Sequence, residues 1–170
     1  MTIPPHRGSR VVREAGLANE AGWVPVDRAT LKTKLDGVFA IGDCTTIGMP
    51  GRWKPDVPLT LPKVGVFAHG QAIVVACRLA AEIAATECKD VFCGDGSCML
   101  AAGGGVAGLA SGNFFAEPMP EIHFRKTGRV WHFGHHLFEQ WWLMPFGLRR
   151  ELLRLALVVG GRALRIPVVL

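Results

Sequence analysis

Two kinds of residue in this chain could do chemistry: an acid that ends an apolar run, and a set of cysteines. The run Gly37-Val38-Phe39-Ala40-Ile41-Gly42-Asp43 reads as the clearest strand in the sequence. Open α/β sheets bind ligands at the carboxyl ends of their strands, so Asp43 stands where a carboxylate could accept a ribityl or ribose hydroxyl. Gly42 would let a ligand come close to the backbone. Taken alone, a Gly-Asp pair after a strand is also what an ordinary turn looks like. Further on, Lys63 precedes Val64-Gly65-Val66, the start of a predicted helix, where free backbone N–H groups point outward.

The chain has five cysteines, an odd number, and no export signal at Met1-Thr2-Ile3-Pro4-Pro5. A purely structural disulfide framework is therefore not expected, and a reducing compartment with one special cysteine fits better. Cys77 lies mid-helix among alanines and reads as core. Cys88, Cys93 and Cys98 are evenly spaced, but a zinc site needs a fourth ligand on the same centre. His132, His135 and His136 could supply one, yet their spacing matches no standard signature. No metal site is assigned.

The elements that must position these groups follow from the pattern. Residues 1–10 read as an open lead-in and Val11–Ala18 as a short helical turn. Trp23–Val26 and Thr30–Thr33 read as short strands. Thr45–Leu61, rich in Gly, Pro and polar residues and containing Trp53, reads as a long loop. A helix over Gly65–Ala85, apolar nearly all round, should be buried. Val91–Cys93 and Ser97–Ala102 read as strands separated by a Gly94-Asp95-Gly96 turn, with Gly103-Gly104-Gly105 as hinge or bulge. Val106–Phe115 continues in apolar steps and Ile122–Phe124 is another short strand. Together these predict a small antiparallel sheet. From Trp131 the spacing turns helical, breaks at Pro145 and Gly147, and resumes over Leu148–Val159. In that last helix Leu148, Leu152, Leu155, Ala156 and Val159 share one arc and Arg150, Glu151 and Arg154 another, with Arg149 near the apolar edge.

Composition excludes several classes. The chain has 170 residues, enough for a core, and 49% of them are hydrophobic, which rules out a disordered tail. The net charge of +5 is moderate, and no basic run or nucleic-acid signature accompanies it. No stretch reaches the roughly 18 to 20 unbroken apolar residues of a membrane span. Arg149, Arg150, Arg154 and Arg162 among leucines suit an anionic membrane surface instead.

Two stretches carry a family resemblance. Thr30–Thr33 followed by Gly37–Cys44 resembles the second FAD-binding motif of the pyridine nucleotide-disulfide oxidoreductases. Leu61-Pro62-Lys63-Val64-Gly65-Val66-Phe67-Ala68-His69-Gly70-Gln71-Ala72 resembles the segment that closes over the flavin in sulfide:quinone oxidoreductases. The order and spacing of the two are more specific than either alone, and the resemblance runs from about residue 22 through Phe138-Glu139-Gln140-Trp141-Trp142 to about 145.

The resemblance implies an α/β fold: the C-terminal part of a two-dinucleotide-domain flavoprotein, with a small antiparallel sheet and an amphipathic helical tail. Residues 1–87 would be a remnant of the FAD-binding domain, 88–130 the sheet region and 131–170 aromatic membrane-associating helices. Gly42 and Asp43 would bind the ribityl and pyrophosphate side of FAD. Val64, Gly65, Val66 and Phe67 would meet the pyrimidine edge of the isoalloxazine, with Lys63 adding charge. Cys98 would be the catalytic cysteine, working with a second from an N-terminal half. Cys44 is read as packing. His69 stands where an acid is common among relatives. The implied reaction oxidises sulfide through a cysteine persulfide and flavin to a membrane quinone, at the cytoplasmic side of the membrane. No Gly-x-Gly-x-x-Gly of Rossmann context and no partner cysteine appear. The chain is therefore expected to need an N-terminal half or partner chain, and alone neither to hold FAD tightly nor to turn over. The alternatives are an NADH:quinone-type flavin dehydrogenase of the same superfamily and a non-catalytic membrane-associated module.

Overall fold

The computed structural model describes residues 6–166, apart from the side chain of Trp53. Residues 1–5 of the expected lead-in and 167–170 of the expected tail lie outside that range. The chain forms two compact units, Met1–Cys93 and Gly94–Leu170.

In the first unit, a short helix α1 (Arg10–Glu14) carries an Arg10–Glu14 ion pair at 3.2 Å. Strand β1 (Val24–Pro25) pairs in parallel with β2 (Thr45–Thr46) through Val24 and Thr45. The strand expected over Thr30–Thr33 does not form. Asp27 captures this segment instead: its carboxylate accepts from the N–H of Thr30 at 2.7 Å, from the Thr30 hydroxyl at 2.7 Å and from the N–H of Ala29 at 3.2 Å. A short polar side chain that bonds its own backbone competes with an extended ladder. The Thr30 hydroxyl and then the Thr30 amide hold the Asp27 carboxyl below its ordinary 3.8, opposed by desolvation and helped to a lesser degree by the Ala29 amide and the charge of Arg78. This turn's contribution is therefore complete above that ordinary value and is lost as pH falls through the lowered one.

The strand expected over Gly37–Asp43 shrinks to one antiparallel bridge, Lys32 with Phe39. Its other backbone bonds go to the same short segment, Thr33 N–H to the Val38 carbonyl at 2.9 Å and Ala40 N–H to the Leu31 carbonyl at 3.2 Å, and isolated two-stranded pairing is marginal. At its end the backbone turns left-handed at Gly42 (φ +71°) and winds into a 3-10 turn, Gly42–Cys44. The loop expected over Thr45–Leu61 is instead largely a hairpin of β3 (Gly48–Lys54) and β4 (Val57–Thr60). Pro50 and Pro58 give no ladder hydrogen bond, which masks the strands in the sequence and leaves their register irregular. Arg52 closes the turn by donating to the Pro55 carbonyl at 2.9 Å.

Helix α2 (Gly65–Ile83) is where expected but is not buried all round. One stripe, Phe67, Gln71, Val74 and Ala81, faces the core, while Ile73, Leu79 and Ile83 are exposed. By length and composition alone α2 could cross a membrane, although His69, Gln71, Arg78 and Glu82 interrupt it. Beyond the helix, residues 84–93 return along it as a strap. Cys77, expected as plain core, forms a disulfide with Cys88. Arg78 donates to the Asp90 carbonyl at 2.8 Å, and the Phe92 ring meets Phe67 edge-on at 6.2 Å. Val91–Cys93 is therefore no strand: the Phe92 N–H goes to the Ala29 carbonyl at 2.9 Å.

The second unit contains the expected antiparallel sheet, in the order β5 (Asp95–Gly103), β6 (Val106–Asn113), β7 (Glu121–Gly128). The turn expected at Gly94–Gly96 is absent because Asp95 already pairs with Asn113, whose side-chain amide donates to the Asp95 carboxylate at 3.0 Å. Gly104 and Gly105 make the two-residue hairpin turn, with φ of +58° and +73°, the left-handed pair such a turn demands. Central β6 is the most buried strand. Helix α3 (Arg129–Leu143) lays Trp141, 2% exposed, against this unit's core, and α4 (Leu148–Leu164) follows. The Arg150 guanidinium lies 4.9 Å from the Trp141 ring and 4.4 Å from the Phe146 ring.

Cys77–Cys88 closes a short loop, and chain-entropy reasoning gives such a bond about 3 kcal/mol. We expect Cys88→Ser, or reductant on the unmodified chain, to lower the urea midpoint of the first unit by a corresponding amount. Reductant should do nothing further to a Cys77→Ser/Cys88→Ser chain. An unmodified chain indifferent to reductant would count against the strap.

Candidate functional site

The residues singled out around Asp43 and Lys63 come together in the first unit. Gly42, Asp43, Thr45, Ile47, Leu61, Pro62, Lys63, Val64, Phe67, Ala68 and Gln71 line a shallow cleft partly open to solvent. Two segments make it: the 3-10 turn and the approach to α2. Gln71 joins them. Its side chain is 2% exposed, and its carbonyl oxygen accepts from the Gly42 N–H at 2.6 Å. The Thr45 hydroxyl donates back to the Gly42 carbonyl at 2.8 Å. A Cβ at position 42 would meet the Ala68 Cβ at 3.4 Å, an ordinary contact, so it is the left-handed backbone, φ +71°, that favours glycine in this turn.

Lys63 ties the same segments through its ammonium, which donates to the Asp43 carbonyl at 2.5 Å and the Thr45 carbonyl at 2.8 Å. It also lies 3.8 Å from the centre of the Trp23 ring, inside cation–π range. Desolvation of the ammonium lowers the Lys63 pKa from its usual 10.5, opposed by the charges of Asp43 and Cys44. Helix α2 follows Val64 with no side-chain cap, and among the described residues no acceptor meets the N–H groups of Gly65 and Val66. An uncapped helix start and a desolvated cation together form an anion-attracting corner. The Asp43 carboxylate is exposed and holds no hydrogen bond among the described residues. It is available to accept from a hydroxyl, and the donor set as a whole suits a ligand with both an anionic edge and a polyol arm.

Cys98 lies on β5 in the second unit, part-buried. Cys44 directs its thiol to the Ile41 carbonyl at 3.2 Å. Gln71, Thr45 and Trp23 were not singled out from sequence. Gln71 had a signal: an amide in an otherwise apolar stripe needs a partner when buried. Trp23 had none, because its role depends on where Lys63 reaches.

Two outcomes are expected. Gln71→Leu leaves the Gly42 amide without its acceptor and should cost about 1–3 kcal/mol in denaturant unfolding. Because the folded state binds the Lys63 proton less tightly than the unfolded chain, stability should rise with pH between the lowered pKa and 10.5. NMR titration of the Lys63 ammonium should find its midpoint below 10.5. A midpoint at or above that value would contradict the desolvated site.

No family model matches the chain. A 45-residue stretch is 44% identical to the mitochondrial sulfide:quinone oxidoreductase of Mus musculus, covering 26% of this chain and 10% of the mouse protein. The backbone superimposes on the sulfide:quinone oxidoreductase of the hyperthermophilic bacterium Aquifex aeolicus with a TM-score of 0.68 and 26% identity, over 83% of this chain and 33% of that one. A chain of the Tetrahymena thermophila mitochondrial ATP synthase shares the fold alone, with a TM-score of 0.51 and 20% identity over 65% of this chain and 24% of that one. The chain thus spans about a third of the length of the Aquifex enzyme. Its mixed helix and sheet, its antiparallel β5–β7 sheet and its C-terminal helices match part of that enzyme, and in sequence and backbone alike the chain is similar to a C-terminal portion of sulfide:quinone oxidoreductase.

Proposed function

We propose that this chain supplies the flavin-closing part of an FAD-dependent oxidoreductase of sulfide:quinone type. The observation that carries the reading is the apposition of the Gly42–Asp43 turn to the uncapped start of α2, with Lys63 between them. Gly42 and Asp43 hold the ribityl and pyrophosphate arm, Asp43 by accepting from a hydroxyl. Val64, Gly65, Val66 and Phe67 meet the anionic edge of the ring with backbone N–H groups, and Lys63 adds a positive charge already stripped of part of its water. FAD, when bound, supplies a two-electron acceptor. Cys98 would take up sulfur while joined by a disulfide to the cysteine of the N-terminal half: sulfide attacks the Cys98 sulfur, that S–S bond breaks, Cys98 is left carrying the persulfide, and the released partner thiolate holds the electron pair that FAD would accept. Quinone is the acceptor, drawn from the membrane.

The three-part division follows the same reading, with 1–87 as FAD-domain remnant, 88–130 as sheet region and 131–170 as membrane-associating helices. Support for the last comes from the tail's open apolar side. Phe146 is 91% exposed, and Leu143, Leu148, Leu152, Leu155 and Val159 are exposed as well, beside Arg149 and Arg154. Aromatic and leucine residues flanked by arginines suit the interface of an anionic bilayer at the cytoplasmic side. The exposed Ile73, Leu79 and Ile83 of α2 and the two-residue β1–β2 pair support a complementing N-terminal half, on the same polypeptide or another.

Three measurements test this. The chain expressed alone should purify with little flavin absorbance and gain it when the N-terminal half of a related enzyme is co-expressed; stoichiometric flavin on the chain alone would overturn the need for a complement. In the complemented protein, Cys98→Ser should abolish sulfide oxidation; retained sulfide oxidation would overturn the role of Cys98, and an NADH oxidation indifferent to the change would favour the NADH:quinone alternative. Flotation with anionic vesicles should be lost on removing residues 131–170, and equal flotation of both forms would reject the membrane role.

A further inference from the structure

We propose that the outer face of α3 is a binding site for a first-row divalent metal ion, formed by His132, His136 and Glu139 and supported by His135. The four residues stand at i, i+3, i+4 and i+7 along α3, which places them within one arc of the helix. Trp141 and Gly134 lie on the opposite arc: Trp141 is buried, and a Cβ on Gly134 would come within 3.9 Å of the Met99 side chain. The histidines are thus directed away from the core of their unit. His132, His136 and Glu139 are exposed and His135 is half-buried.

The carboxylate organises the group. One Glu139 oxygen lies 3.5 Å from His135 Nε2 and the other 3.8 Å from His136 Nδ1. Both contacts are longer than a hydrogen bond, so neither oxygen is fully used. The Oε2 atom, on the His136 side, is placed to become a ligand beside that imidazole. The Oε1 atom, on the His135 side, leaves His135 as the outer partner that orients the carboxylate, the arrangement metal-bound carboxylates commonly have. His132, one turn before His136, brings a second imidazole, and two histidines four residues apart on one helix face can share one ion. Rotation of His132 about its own side-chain bonds is needed, since no three ligand atoms of this face converge within 4.8 Å at rest. The one group of described residues that already converges so closely, Cys77, Cys88 and Asp90, has both sulfurs consumed by the disulfide. Two imidazoles and a carboxylate on an open surface suit Zn²⁺, Ni²⁺, Cu²⁺ or Co²⁺, with water completing the shell. Arg129 sits at the edge of the arc, and no other carboxylate on α3 competes for the ion.

The test uses the full chain with its free thiols blocked by iodoacetamide, titrated with Co²⁺ and followed by ligand-field absorption, then with Zn²⁺ by calorimetry. One ion per chain is expected, without thiolate-to-metal charge transfer. His132→Gln/His136→Gln should abolish binding, and His135→Ala should weaken it about tenfold through the freed carboxylate. Circular dichroism confirms that the variants keep their helices; if the double variant unfolds, His136→Gln alone serves, with the same loss expected. Unchanged affinity in the folded variants, or binding that disappears once the thiols are blocked, would overturn the site. Neither outcome bears on the flavin reading, which uses no residue of this face.

Discussion

The hydrogen bond from Gly42 to Gln71 is the constraint on which the first unit's candidate site rests. It spans 29 residues of sequence and is made by a side chain almost closed to solvent. A buried amide is tolerated only when bonded, so the bond fixes both partners. With the turn pinned to the helix, the Asp43 and Thr45 carbonyls lie where one ammonium can reach both, and Lys63 does so. The cleft is thus the gap left when a turn that begins with glycine is drawn against a helix start without a cap.

The second unit follows a different logic, in which packing leaves an unspent surface. The central strand β6 and Trp141 form the interior, and Arg150 reaches over the Trp141 and Phe146 rings while its Nε donates to the Trp141 carbonyl at 3.3 Å. That contact orders the join between α3 and α4 without covering the apolar arc of α4. Leu148, Leu152, Leu155, Ala156 and Val159, the arc expected from the helical wheel, are all exposed.

What could be read beforehand was what the local residue pattern itself announces. The antiparallel sheet was legible because β5, β6 and β7 follow one another, although its hairpin turn was not: the sequence placed a turn at Gly94–Gly96 and read Gly103–Gly105 as hinge or bulge. Both C-terminal helices were legible from their periodicity, with Pro145 and Gly147 marking the break. The gathering of Gly42, Asp43, Lys63 and the start of α2 was legible only through a resemblance, since no local rule links residue 42 to residue 71. The misses have separate causes. At Thr30–Thr33 the Asp27 side chain outcompeted a strand, and at Gly37–Asp43 an apolar run had too few neighbours to pair with. At Thr45–Leu61 prolines concealed a hairpin, and at Gly65–Ile83 an all-round apolar composition suggested more cover than the described residues provide.

The disulfide of the strap has one more consequence. Between Cys77 and Cys88 the chain is connected twice, once through the backbone and once through sulfur. A protease that cut the exposed stretch at Ile83–Glu87 would therefore not divide the molecule. The segment carrying Gly42, Asp43 and Lys63 would stay covalently joined to the one carrying Cys98, as a two-piece molecule of unchanged connectivity for as long as its surroundings left the bond oxidised.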